Sequence, residues 1–414
     1  MERVVNQYNE VVIQTVLDNG LHISVIEKPD FTRSYVTATM NYGSFHLAKA
    51  DGGVFPAGIA HFLEHNMFMA TDGDYASKFQ ALGASVNAYT TFDKTTYLFR
   101  SIENVEQATL LLLDMVQALE IDEANVSKEI GIIREEIDMY EDIPDSVIFW
   151  QTMQHLFPNH ALGVDIAGSI ESIQQITLEL LQECHAMYYQ PSNTYLVIAG
   201  PVDAVTMIEA ITKHQEAKTL PHIHIPSQPT YDVRIETPYH VISHLEAQDK
   251  LLIGYKQPVT WITDVIRQKL AMNLYLESKF GQSSAFYERN IDAGVINDSF
   301  SAFAMIDEQY AMVMMGGDTK NPERLVDEIQ AVLAEDVDTL EVERIKRRVL
   351  GTFLRSLHSL ESMAHEIASY QIIGSDVFHA VDMLKTLSID EISLMRDFFN
   401  ENYKTMTMLH SKGH

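Results

Sequence analysis

The sequence predicts an α+β protein built from two homologous domains. Three observations carry that reading. The chain has 414 residues, more than one hydrophobic core usually serves. Runs rich in β-branched residues with strand-like alternation are interleaved with longer stretches of helical period. A helix–aromatic–strand unit also occurs twice. Thr177 opens a helix that ends in Tyr188 and Tyr189 before the strand NTYLVIA, and Ser388 opens one that ends in Phe398 and Phe399 before TMTML. The offset of 211 residues (388 − 177) is about half the chain, as expected of a duplicated domain.

In chain order, residues 10–17, 21–27 and 35–41 alternate as strands. A helix follows Pro56, which lies near where a first-turn proline belongs. Residues 85–89 and 95–100 pair as a hairpin, and 105–119 form a helix with Asn104 as cap. The apolar run 193–199 is a buried strand stopped by Gly200 and Pro201. A linker is expected over 215–232, where Pro221, Pro226 and Pro229 fall in a stretch with little periodicity. It separates an N-terminal domain, 1–214, from a C-terminal one, 233–414. The second half restarts with strand 250–255 and helix 264–279. A strand pair near 297–304 and 310–315 follows, then helices to about Phe399 and a closing strand over 405–409. Ser388 and Glu391 form a capping-box pattern.

The net charge of −29 argues against a nucleic-acid partner, which needs basic patches, and favours cationic ones such as basic peptides. No apolar run approaches the roughly 20 residues that span a bilayer, so no membrane insertion is expected. The first twelve residues hold no apolar signal core, and the single Cys184 can form no intrachain disulfide. Together these give the expectation of a cytoplasmic protein, with Cys184 a small buried residue of a helix.

Residues 61–65 read His-Phe-Leu-Glu-His, the reverse of the commoner zinc-protease order H-E-x-x-H. On a helix, His61 and His65 lie one turn apart on one face and can reach a single ion, with Glu64 beside them as a proton acceptor. A catalytic zinc takes three protein ligands, so a third is required. In 127–140, Glu129, Ile132, Ile133, Glu136, Ile137 and Tyr140 follow one helix face, apolar except for two carboxylates. A carboxylate on a buried stripe is costly unless paired or bound to metal. Glu135 points off this stripe, which makes Glu136 the third ligand and Glu129 a supporting residue two turns back. His358, Glu361, His365 and Glu366 look metal-like only superficially and are expected to be packing or surface residues.

With these residues in place, the chain resembles the pitrilysin/insulinase metallopeptidases, the inverted zincins. The resemblance extends to Gly83-Ala-Ser-Val-Asn-Ala-Tyr-Thr90, to Tyr140-Glu-Asp-Ile-Pro-Asp145 and to Gly281-Gln-Ser-Ser284 with Phe286-Tyr287-Glu288. It covers nearly the whole chain and is closest to small two-domain members of Gram-positive bacteria. It implies two homologous α/β sandwich domains, each a mainly antiparallel mixed sheet with helices packed on one face, the first catalytic and the second inactive. It also implies one zinc ion per chain on His61, His65 and Glu136, Glu64 as general base and Glu129 in support. Asn87 and Ala88 would sit on an edge strand that pairs with the substrate backbone. Many members carry an Arg and a Tyr in the second domain that reach the scissile carbonyl. Here Arg289 lies near the Arg position and Asn297 stands where the Tyr is expected. The resemblance therefore implies a zinc endopeptidase for peptides or unfolded segments, paired with itself or with a zinc-free relative. The alternative is a subunit of a heterodimeric peptide-processing complex, with a mainly structural role and weak catalysis.

Overall fold

The computed structural model describes residues 2–5, 8, 10–220, 222–245 and 248–411; Pro221 of the expected linker lies outside them. The chain forms two compact units. The first comprises Met1–Ile137, Asp165–Gln228 and Leu354–Phe378, and the second Asp138–Val164, Pro229–Phe353 and His379–His414.

The first unit is built on a seven-stranded mixed sheet. Its strands lie in the order Glu2–Val5, Val11–Val16, His22–Glu27, Thr194–Gly200, Ser34–Met40, Thr95–Ser101 and Ser85–Thr90. Only His22–Glu27 and Thr194–Gly200 run parallel; the other pairings are antiparallel. Every residue of Ser34–Met40 is buried, so both faces of the sheet are covered at its centre. The helix Val105–Gln117 packs on Ser34–Met40 and Thr95–Ser101, and the helix Leu360–Ile372 on Ser34–Met40 and Thr194–Gly200. The strand Ser85–Thr90 ends the sheet, and among the described residues no strand pairs with its other edge.

The second unit has five strands in the order Tyr239–His244, Lys404–Ser411, Lys250–Gln257, Ala311–Asp318 and Ser301–Ile306. The first pair is parallel and the rest antiparallel. This repeats the connectivity of five strands of the first sheet: the parallel pair joins the earliest and latest strands of the set in both. The later strand of each parallel pair is also preceded alike. Thr177 and Ser388 both cap helices, and short 3₁₀ turns at Pro191–Asn193 and Glu401–Tyr403 lead into Thr194–Gly200 and Lys404–Ser411. The core of this unit includes Leu251, Ile253, Tyr255, Tyr275, Val313 and Met315. The helix Pro144–Leu156 packs on Lys250–Gln257 and Lys404–Ser411, where the Thr152 hydroxyl donates to Thr407 Oγ1 at 2.9 Å.

Each sheet is thus completed by a helix from a distant stretch of sequence. The fastening of Pro144–Leu156 is electrostatic as well as apolar. Lys256 is fully buried, and its ammonium donates to the carbonyl of Leu156, at the helix C-terminus, and to Asp232 O at 2.6 Å. A cation there faces the negative end of the helix dipole. Its ring neighbours are Phe157 and Tyr231, at 5.4 and 5.7 Å from the ammonium.

Several local expectations need correction. Pro56 stands outside the first turn: the helix is Ile59–Asn66, with Gly58 at its N-cap. Asn104 occupies the N-cap of Val105–Gln117 with φ 54°, but its side chain makes no cap hydrogen bond and donates to Leu82 O at 3.2 Å. The strand expected to begin at Asn297 begins at Ser301, because Asn297 Oδ1 accepts from the Ser299 backbone N–H and closes a turn. The helix Ala204–Glu216 runs past the expected start of the linker.

Candidate metal centre

The helix Ile59–Asn66 buries Ile59, Ala60, Phe62, Leu63 and Asn66, which leaves His61, Glu64 and His65 together on the opposite side. Its start is fixed by backbone geometry. Gly58 has φ +90°, and a Cβ there would lie 2.5 Å from Ala167 O. Gly168 answers with φ +84°, and Ser172 Oγ donates to Ala57 O at 2.8 Å. Two glycine turns therefore lie back to back and set where the motif helix begins.

The helix Glu123–Glu141 brings its carboxylates to the same place. Val126, Glu129, Ile133 and Ile137 are buried. The stripe is narrower than the sequence suggests, since Ile132 is 42 % and Tyr140 40 % exposed. At about 100° per residue, Ile132 lies well round from the centre of the buried set, and Tyr140 is in the last turn. Glu136 sits on the border of that face and is partly exposed, whereas Glu135 is exposed. A border position is where a side chain can leave the core and still face a cleft.

His61, His65 and Glu136 each offer a ligand atom, and these atoms lie within 4.8 Å of one another. Glu136 Oε2 is 3.8 Å from His61 Nε2 and 3.7 Å from His65 Nε2. Ligands about 2.1 Å from a tetrahedral zinc stand roughly 3.4 Å apart, so two imidazoles and a carboxylate at these separations suit that ion with little adjustment. His65 Nδ1 bonds Glu129 Oε1 at 2.8 Å, and Glu129 is only 3 % exposed. That bond places a proton on Nδ1 and leaves Nε2 facing Glu136. His61 Nδ1 is buried without a hydrogen-bond partner.

Electrostatics follow from this packing. Burial, then the neighbouring His65, hold His61 down to about 4 and keep its ring neutral, the form that binds metal. Burial also pulls His65 down, but its bond to Glu129 and the charges of Glu129, Glu64 and Glu136 outweigh that and raise it. A dication at the three donors would compete with that proton. Burial raises Glu64, opposed by a hydrogen bond from Thr90.

Thr90 was not singled out by the sequence as a site residue. Its hydroxyl donates to Glu64 Oε2 at 2.7 Å. It ends the edge strand Ser85–Thr90, which packs against the motif helix and carries Asn87 and Ala88. Strand alternation was the available signal: Val86, Ala88 and Thr90 share one face. Arg289 and Asn297 belong to the second unit. Arg289, in the helix Ala285–Asp292, pairs with Glu328 at 3.6 Å, and Asn297 Nδ2 donates to Asp318 Oδ2 at 2.9 Å. Cys184 is buried with its sulfur 2.9 Å from the Tyr42 hydroxyl, and burial raises its pKa. No helix among the described residues is long and apolar enough to cross a membrane.

Comparison with known proteins identifies a family for the chain. Residues 23–169 match the insulinase domain of peptidase family M16, and residues 175–349 match the M16 inactive domain. A Bacillus subtilis protein named as the zinc protease YmfH is 34 % identical over 93 % of each chain. The crystal structure of an M16-like peptidase from Alicyclobacillus acidocaldarius superposes with a TM-score of 0.93 at 30 % identity, covering 99 % of this chain and 100 % of that one. A Helicobacter pylori protease shares the fold, with a TM-score of 0.85 at 20 % identity over 96 % of this chain and 99 % of its own. With its duplicated sheet and its three clustered donors, the chain belongs to the insulinase peptidases, family M16.

Proposed function

We propose that this protein is a zinc-dependent endopeptidase acting on peptides or unfolded segments, with residues 1–214 as the catalytic domain and 233–414 as its inactive counterpart. The observation that carries the reading is the cluster of His61, His65 and Glu136 ligand atoms within 4.8 Å, with Glu64 on the same helix face. His61, His65 and Glu136 would hold one zinc ion, which polarises a carbonyl and lowers the pKa of water. Glu64 is the general base. Burial raises its proton affinity towards neutral pH, where a base is most effective, and Thr90 fixes one of its oxygens. It accepts the proton of the attacking water and returns it to the leaving amine. Glu129 holds His65 in the tautomer that presents Nε2.

The substrate pairs as an added strand along the open edge of Ser85–Thr90, at Asn87 and Ala88. Such pairing needs an extended chain, which favours unfolded segments over folded proteins. The net charge of −29 favours basic peptides. Help at the carbonyl, in place of the residue replaced by Asn297, comes from zinc alone, from Arg289 or from another subunit. The chain pairs with a second two-domain chain, its own copy or a zinc-free relative, in the cytoplasm; sedimentation at micromolar concentration tests that pairing.

The deciding experiment is metal analysis together with cleavage of a quenched peptide pool. One zinc per chain and cleavage that Glu64→Gln lowers by about 10²–10⁴-fold, with zinc retained, are expected. Cleavage at the wild-type rate by Glu64→Gln would remove Glu64 from the role of base.

A further inference from the structure

We propose that His365 is a positioning residue that anchors the substrate-pairing strand from the face opposite the metal centre. The inference rests on the reading of Ser85–Thr90 as the strand that pairs with substrate. It starts from strand alternation. Thr90 points to the face where it meets Glu64, so its neighbour Tyr89 points to the other. There the Tyr89 hydroxyl meets His365 Nδ1 at 3.0 Å, while His365 Nε2 meets the Tyr35 hydroxyl at 2.9 Å.

The geometry of the bridge is specific. Tyr35 pairs with Arg100 and Tyr89 with Thr96, so the two tyrosines stand diagonally across the intervening strand Thr95–Ser101. His365, on the helix Leu360–Ile372, spans that strand and ties the sheet's edge to its buried centre. Its ring packs against both tyrosines, with centroids 5.5 and 5.6 Å away. A neutral imidazole donates from one nitrogen and accepts at the other, so it satisfies both hydroxyls without a charge. Leu or Phe can satisfy neither; Gln, with one donor and one acceptor end, can satisfy both.

The strand needs such an anchor. Among the described residues only one of its edges is paired, by Thr95–Ser101, and an edge strand of six residues is prone to slip or fray. Ser85–Thr90 is therefore fixed at adjacent residues from its two faces, by His365 through Tyr89 and by Glu64 through Thr90. A substrate strand can pair with it only while its backbone stays in register.

His365→Leu and Tyr89→Phe test this with two readouts. The first is amide hydrogen exchange over residues 85–90 in the intact protein, which requires no activity. Exchange there should quicken about tenfold in both variants, the worth of one hydrogen bond, and return to within threefold of wild type in His365→Gln. The second is peptide cleavage by the zinc-loaded protein: KM should rise about tenfold with kcat within threefold, the pattern of lost uniform binding, with the same rescue by Gln. The double variant should be no worse than His365→Leu. Unchanged exchange in Tyr89→Phe, or failure of His365→Gln to restore it, would overturn the proposal. Quickened exchange in the two variants of a protein whose wild type cleaves no peptide would leave the anchor standing and remove the peptidase reading instead.

Discussion

Replacing Glu129 by Leu removes the partner of His65 Nδ1 and nothing else that reaches the metal donors. The bond is 2.8 Å long and Glu129 is 3 % exposed, so no water can readily substitute for the lost carboxylate. A hydrogen bond to a charged group contributes about 1.5–3 kcal/mol. Part of this orders the imidazole and part raises its basicity as a ligand. A residue that supports a metal ligand in this way typically changes affinity about 10–100-fold, or about 1.4–2.7 kcal/mol. Zinc binding by Glu129→Leu should weaken by that factor, and Glu129→Gln, which keeps an acceptor oxygen without the charge, should fall between it and wild type. Competition against a chromophoric chelator at fixed pH measures both. Zinc affinity within twofold of wild type in Glu129→Leu, with an unchanged thermal transition, would refute the argument that the bond holds His65.

Glu136→Gln should lower zinc occupancy sharply, since an amide is a poor zinc ligand, while Glu135→Gln, altered at an exposed position, should bind stoichiometrically; elemental analysis distinguishes them. Lys256 supplies a pH signature. Burial lowers its ammonium to about 8, against an ordinary value near 10.4. Between those values the unfolded chain binds more protons than the folded one, so stability attributable to Lys256 rises with pH over that window, by up to about 3 kcal/mol. Below pH 8 both states are protonated and the burial cost is fully present. Lys256→Met should abolish the rise, as read by urea unfolding at pH 8 and pH 10; identical pH dependence in the two proteins would contradict it.

Much of the fold could be read from the chain because its strands carry strong local signals. The duplication was visible in the two capped helices at Thr177 and Ser388, since capping chemistry and the strand that follows are local. The clustered donors were legible for the same reason: one helical turn separates His61 from His65, and helical period alone places Glu129 and Glu136 on one side. Period did not give the width of the buried stripe, so Ile132 and Tyr140 were assigned to it and are exposed. What a helix packs against is not a local property. The apolar face of Leu360–Ile372 announces a helix but not which sheet it covers, and His365, set among metal-like residues, takes its meaning from two tyrosines more than 270 positions earlier. Thr90 gives no such signal in the sequence, because a hydroxyl at a strand end is common and only its distance to Glu64 marks it.

The helix that closes the first sheet is made late. Leu360–Ile372 leaves the ribosome about 300 residues after the motif helix Ile59–Asn66, which at 5–20 residues per second is roughly 15–60 s. Throughout that interval Tyr35 and Tyr89 lack His365, and the nascent edge strand is held from one face only. A chain interrupted after its first half would carry His61, His65 and Glu136 and still lack the residue proposed to clamp the edge strand. If the proposed function holds, translation order itself delays the clamping of the edge strand until residues 360–372 have been made.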